Sequence, residues 1–201
     1  MPLHYEDDRA QITRVVVGPM VNNVHVVRCA ETGASVLVDA ADEPDVLLPL
    51  CEELHVGDVL TTHGHRDHVQ AVFALRAAGH RVGVAQGDAP MMPAYDFEIA
   101  DEAVIEVGRL RLHALHTPGH TPGSTCFRIE GSPVLLAGDT LFPGGPGNVW
   151  GNRVNFATIV RSIQQRLFSL PDDTLVLPGH GADTTIGTER PHLQEWIDRG
   201  W

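Results

Sequence analysis

Four stretches of this chain place side chains able to bind a metal at the end of a short apolar run, three of them after a turn containing Gly or Pro. "DVLTT" (58–62) runs straight into "HGHRDH", which packs His63, His65, Asp67 and His68 into six positions. "LHTPGHTPGS" carries His120, "LLAGDTLF" carries Asp139 and "LVLPGHG" carries His180. Strand ends present side chains from a rigid edge, and glycine lets neighbouring backbone come close. If these residues belong together, the fold has to bring four distant strand ends to one place.

The rest of the chain reads as short strands punctuated by Gly, Pro and Asn, with helices between them. "ITRVVV" (12–17), "VHVVRC" (24–29) and "SVLVDA" (35–40) are β-branched runs. "DEPDVLLPLCEEL" (42–54) has helical spacing and an acidic first turn, and "VQAVFALRAA" (69–78) predicts a helix ended by Gly79. Residues 103–116 predict a hairpin around Gly108, followed by strands in "STCFRI" and "PVLLAGD". "NFATIVRSIQQRLFSL" (155–170) predicts an amphipathic helix stopped by Pro171. "TLVL" (174–177) is a last buried strand, and "TERPHLQEWIDRG" predicts a terminal helix. There is no internal repeat, linker or low-complexity segment. The expectation is one domain over residues 1–201, of mixed α and β character, with two sheets covered by helices on their outer faces.

Composition excludes several classes of function. A net charge of −12 argues against a nucleic-acid partner, and no basic stretch suggests a membrane surface. The start, "MPLHYEDDRA", has no apolar core of a secretory signal, and no apolar run approaches the ~18 residues of a membrane span, so a cytoplasmic location is expected. Cys29, Cys51 and Cys126 are far apart and form no CxxC, which points to small buried hydrophobes rather than disulfides or thiolate ligands. All fourteen basic residues are arginine, so lysine-based chemistry is excluded.

Five imidazoles and two carboxylates make a donor set suited to zinc, iron or manganese. Seven donors are too many for one tetrahedral ion and about right for two. One ion would take three histidines and the other two histidines and an aspartate, with a second aspartate between them. Such pairs share a hydroxide, because metals lower the pKa of water towards about 7. Of the other histidines, His4, His25, His55, His80 and His192 read as surface or satisfied core groups. His113 and His116 read as packing or support for the TPGH turn.

From "GPMVNNVHVV" to "PGHGADTTIGTER" the chain resembles the metallo-β-lactamase superfamily, and within it the glyoxalase II (hydroxyacylglutathione hydrolase) branch. The resemblance rests on "HGHRDH" as HxHxDH and on the TPGHTxG, GDTLF and PGHG elements in that order. It implies an α/β (α+β) fold, a four-layered αββα sandwich with metals at one edge of the sheets. It also implies one site of His63, His65 and His120, a second of Asp67, His68 and His180, and Asp139 bridging the two. Asp39 in "VLVDA" matches an aspartate that supports the ligand loops. The β-lactamases carry cysteine or serine where this chain has Asp139, which argues against antibiotic hydrolysis. Val69 and Gln70 stand where glyoxalase II often has small residues, a departure at the floor of the site.

The reaction the resemblance implies is hydrolysis of S-2-hydroxyacyl thioesters such as S-D-lactoylglutathione by a metal-bridging hydroxide. Asp67 orients that hydroxide and accepts its proton. The expected cofactors are two divalent ions, zinc first, with iron or manganese as alternatives. Full-length glyoxalase II appends a helical glutathione-binding domain that residues 1–201 lack. Substrate contacts therefore fall to "LFPGGPGNVWGNR" (141–153), with Phe142, Trp150, Asn152 and Arg153 as candidates and another small thiol, such as mycothiol, as a possible carrier. One alternative is a mononuclear iron persulfide dioxygenase using only His63, His120 and Asp139; another is a lactonase or phosphodiesterase. A non-catalytic metal-binding module is disfavoured, because all seven donors are present. Monomer and homodimer are both compatible with the sequence.

Overall fold

A computed structural model describes residues 3–200. The first half of the chain forms a seven-stranded sheet in sequence order: β1 (Tyr5–Glu6), β2 (Ala10–Val17), β3 (Asn22–Cys29), β4 (Ser35–Val38), β5 (Val56–Leu60), β6 (Arg81–Val84) and β7 (Phe97–Glu98). The second half forms a six-stranded sheet from β8 (Val104–Val107), β9 (Leu110–His116), β10 (Thr125–Ile129), β11 (Val134–Gly138), β14 (Leu175–Pro178) and β15 (Thr184–Thr185). Between β11 and β14 in sequence, β12 (Leu141–Phe142) and β13 (Gly145–Pro146) pair as a small ribbon.

Side-chain alternation turns these sheets into layers. In β4, Val36 and Val38 join a core shared with Phe127, Ile129, Leu136 and Leu177 of the second sheet, while Leu37 joins a different core. In β11, Val134 and Leu136 face the shared core and Leu135 and Ala137 face away. Period-two alternation of this kind places apolar groups on both faces of each sheet, so each outer face needs a cover. Leu37, Val24 and Val26 pack with Leu47 and Leu50 of α1 (Pro44–Glu53) and Val72 and Leu75 of α3 (Val72–Ala77). On the other side, Leu135, Ala137 and Val176 pack with Ile159 and Val160 of α4 (Arg153–Ser162), Ile186 of α5 (Ile186–Glu189) and Trp196 of α6 (Leu193–Arg199). Three cores between four layers make the αββα sandwich. Cys29, Cys51 and Cys126 are free and buried within these cores.

Three expected elements differ. The helix expected over 69–78 is two pieces, α2 (Arg66–Val69) and α3, because the amides of Gln70 and Ala71 donate to Ala41 O and Ala40 O (2.9 and 3.0 Å) instead of to the turn before them. The helix expected from 155 starts at Arg153 and passes into a π-turn at Ile163–Leu167. The terminal helix is broken by a 3₁₀ turn at Arg190–His192, where Pro191 has no amide to donate. No helix among the described residues is long and apolar enough to cross a membrane.

A candidate two-metal centre

The metal-capable side chains follow the C-terminal ends of β5, β9, β11 and β14, and the sandwich brings those ends together. Three overlapping groups result: His63, His65 and His120; His63, His68 and Asp139; and Asp67, His68 and His180. Within each group the donor atoms lie within 4.8 Å of one another. All seven residues singled out in the sequence therefore meet in one cluster, and Asp139 touches both halves: its carboxylate is 3.6 Å from Nε2 of both His120 and His180.

Hydrogen bonds behind the cluster decide which ring nitrogen faces it. His120 Nδ1 donates to Asn148 O (2.8 Å) and His180 Nδ1 donates to Met20 O (2.9 Å). His68 Nδ1 donates to Asp39 Oδ2 (2.8 Å). The Thr62 hydroxyl gives its own proton to Asp39 (2.8 Å), so at 3.1 Å from His63 Nδ1 it accepts. With each Nδ1 carrying a proton, the Nε2 atoms of His63, His68, His120 and His180 turn inward. The pairs His63–His120 and His68–His180 bring Nε2 atoms to 3.2 Å. In the first pair both rings are neutral and their lone pairs repel at that separation, whereas donors about 2.0–2.1 Å from a tetrahedral ion lie about 3.3 Å apart. Asp139 Oδ1 is buried and has no hydrogen-bond partner among the described residues. The donor set, its inward lone pairs and this orphaned oxygen fit a pair of metal ions.

Protonation in the metal-free protein follows from burial and neighbours. Burial holds His63 well below the ordinary imidazole range, with His68 and His120 adding to it, and pulls His120 down to about 4. The hydrogen bond with His180, then that from Asn22, keeps Asp67 well below the usual carboxylate range. Burial alone would lower His68, but the charges of Asp39, Asp139 and Asp67 outweigh it and raise the ring to about 9. Burial raises the Asp139 carboxyl.

Asp39 is the hub behind the cluster. It is 2 % exposed, sits at φ 67°, and accepts from the Thr62 amide (2.7 Å) as well as from Thr62 Oγ1 and His68. Two glycines are there for close approach: a Cβ on Gly179 would lie 2.4 Å from Asp139 Oδ1, and one on Gly147 1.8 Å from Asp139 O.

Two further residues carry the site and have no sequence signature. Asn22 Nδ2 donates to Asp67 Oδ2 (3.0 Å) and lies 3.4 Å from His180 Nε2. Its only sequence cue is its place after a Gly-Pro turn at the start of β3. Fully buried Asp88 accepts from Gly64 N (2.8 Å), Thr121 Oγ1 (2.6 Å) and Gly123 N (2.7 Å), tying the HGHRDH loop to the TPGHTPG loop. A single aspartate in "AQGDAP" gives no cue at all.

Of the four candidate substrate residues, two lie at the cluster. Phe142 lines a cavity of about 340 Å³ together with His120, Asp139 and His180. Trp150 is exposed, with its ring 5.2 Å from His65 and 5.3 Å from His120. The other two differ from expectation. Asn152 accepts from the amides of Val154 and Asn155 and caps α4, and Arg153 lines a groove between α4 and α6 instead of that cavity. His113 and His116 bond to Glu130 (2.6 Å) and Ile99 O (3.1 Å), outside the cluster. His25 departs from the expected satisfied group: it is buried, and its Nε2 has no partner among the described residues.

The model of the metallo-beta-lactamase superfamily matches residues 17–180, and the chain belongs to that superfamily. An uncharacterized protein of Aquifex aeolicus is 34 % identical over 88 % of this chain and 92 % of its own length. The hydroxyacylglutathione hydrolase GloC of Haemophilus influenzae is 32 % identical over 77 % of this chain and 83 % of its own length. A Cereibacter sphaeroides hydroxyacylglutathione hydrolase is 34 % identical, and the match spans only 62 % of that relative. Among solved structures, ETHE1 from Myxococcus xanthus superposes with a TM-score of 0.81 at 27 % identity, over 94 % of this chain and 89 % of that one.

Proposed function

We propose that this chain is a metal-dependent hydrolase of the glyoxalase II type, which cleaves S-2-hydroxyacyl thioesters of a small thiol such as glutathione. The observation that carries the reading is the paired donor set: two clusters of three, joined by Asp139, whose buried Oδ1 has no hydrogen-bond partner among the described residues. The named relatives support it, since GloC of H. influenzae matches over most of both chains. His63, His65 and His120 on one side and Asp67, His68 and His180 on the other would hold two divalent ions, zinc first among candidates, which would supply a water of lowered pKa and Lewis acidity towards a carbonyl oxygen.

The chain's own residues then have distinct tasks. Asp67 remains ionised beside His180 and Asn22, so it can orient the attacking water and accept its proton. Neutral His63 and His120 keep their inward lone pairs. The Trp150 ring packs against His65 and His120 and can contact a bound substrate. A thiolate leaves readily, so no buried general acid is needed. The net charge of −12 keeps nucleic acid out of the reading.

The test is thiol release from S-D-lactoylglutathione by metal-loaded protein, with His120→Ala as the control. Release that disappears in the variant is expected. An inactive native protein that instead consumes oxygen with glutathione persulfide would replace this reading with the dioxygenase.

A further inference from the structure

Beside His65, on the side of the cluster away from Phe142, lies a cleft of about 500 Å³. Its walls are Val69, Phe73, Met91, Met92 and Pro93, and its inner end is Gly64 and His65 of the HGHRDH loop. We propose that this cleft receives the acyl chain of the substrate, so that among the thioesters cleaved those with a longer hydrocarbon chain are preferred to the lactoyl ester. The proposal rests on the thioesterase reading above.

Four observations carry it. First, cleft and metal centre share His65, so a chain lying in the cleft starts at the reacting atoms. Second, the wall is fixed to the metal loop: a Cβ on Gly64 would lie 2.7 Å from Met91 Cβ, so Met91 packs directly on the residue between His63 and His65. Asp88, three residues before Met91, holds the same loop through the Gly64 amide.

Third, the apolar groups are presented to water. Phe73 is 62 % exposed although its helix neighbours Val72 and Leu75 are fully buried, and Met91 is 39 % exposed. Single exposed apolar side chains are ordinary, but a group of them beside a reactive centre marks a binding surface. Trp150, whose ring is 5.2 Å from that of His65, is 66 % exposed and held at φ 49°, a left-handed conformation that bulky residues rarely adopt. Fourth, Val69, which is buried in the outer core, adds a branched apolar side chain to the lining.

The geometry also assigns the direction. A thioester leaves its carbonyl carbon in two arms, and small carrier thiols are polar and charged. The second cavity sets the charged or polar side chains of Asp139, His180 and Asn148 beside Phe142, Pro143 and Pro146, so a polar arm finds partners there at the metal centre. Besides His65, the charged or amide-bearing side chains lining the cleft are Arg66 and Gln70, and Gln70 is already bonded to Asp42 (3.3 Å). The acyl arm is the one an apolar wall accommodates.

The experiment compares kcat/KM for S-D-lactoyl-, S-butanoyl- and S-octanoylglutathione on metal-loaded native protein and on Phe73→Ser. A buried methylene contributes about 0.8 kcal/mol, or about fourfold in kcat/KM. Octanoyl is expected to exceed lactoyl by more than about tenfold, and Phe73→Ser to reduce that ratio by about tenfold through KM. The Phe73 side chain is exposed, and circular dichroism checks that the variant folds. A native ratio at or below one, or a ratio unchanged in Phe73→Ser, overturns the proposal while leaving the thioesterase reading intact. Failure of all three esters overturns both.

Discussion

Asp39 touches no substrate and no inward-facing ligand atom, yet two of its neighbours, Thr62 and His68, orient through it. Asp39→Asn keeps a residue that tolerates φ 67° but loses the charge opposite His68. Metal affinity is expected to fall about 10–100-fold in that variant, measured by chelator competition, with the fold unchanged. His68 also sets a pH dependence. Its pKa is raised to about 9, so at pH 7 the metal-free ring is charged and an ion has to displace its proton. Affinity should therefore rise with pH up to about 9, and calorimetry in buffers of different ionisation enthalpy should find about one proton released from this ring at pH 7. The seven donors were legible in the sequence because His and Asp at Gly/Pro turns after strands are uncommon. Asn22 and Asp88 were not, because each acts through hydrogen bonds to residues at least 24 positions away, such as Gly64.

Helix α4 shows what local sequence can and cannot give. Its apolar spacing was readable, but its first residue depended on Asn152, read as a substrate contact and found accepting from Val154 and Asn155. Asn152→Ala should cost about 1 kcal/mol in urea unfolding. Its effect on KM should be small, whereas a substrate contact would raise KM without loss of stability. The hairpin around Gly108 was legible because glycine at φ 60° marks the turn. The division of α2 from α3 was not, since the acceptors that divide them, Ala40 and Ala41, lie about thirty residues earlier.

At the scale of the molecule, the four layers follow from strands that are apolar on both faces, as β4 and β11 are. That much is visible in a sequence; the pairing order of the strands is not, because register depends on partners far along the chain. Away from the metal cluster, buried His25 ties the fold to pH. Burial, with His4 and Arg14 nearby, lowers the His25 pKa from 6.5 to about 3. The unfolded chain takes up a proton near pH 6.5 and the folded chain only near 3, so this contribution to stability is complete above 6.5 and is lost progressively as pH falls towards 3. By pH 5 the loss is about 2 kcal/mol, and His25→Leu should flatten the acid limb of a urea stability profile by that amount. The central claim concerns what the assembled edge of the sandwich holds. Metal content per chain, determined after zinc loading and removal of excess for the native protein and Asp139→Ala, tests it most directly. The account predicts two ions per native chain and fewer in the variant; one ion per chain, unchanged when Asp139 is replaced, would contradict it.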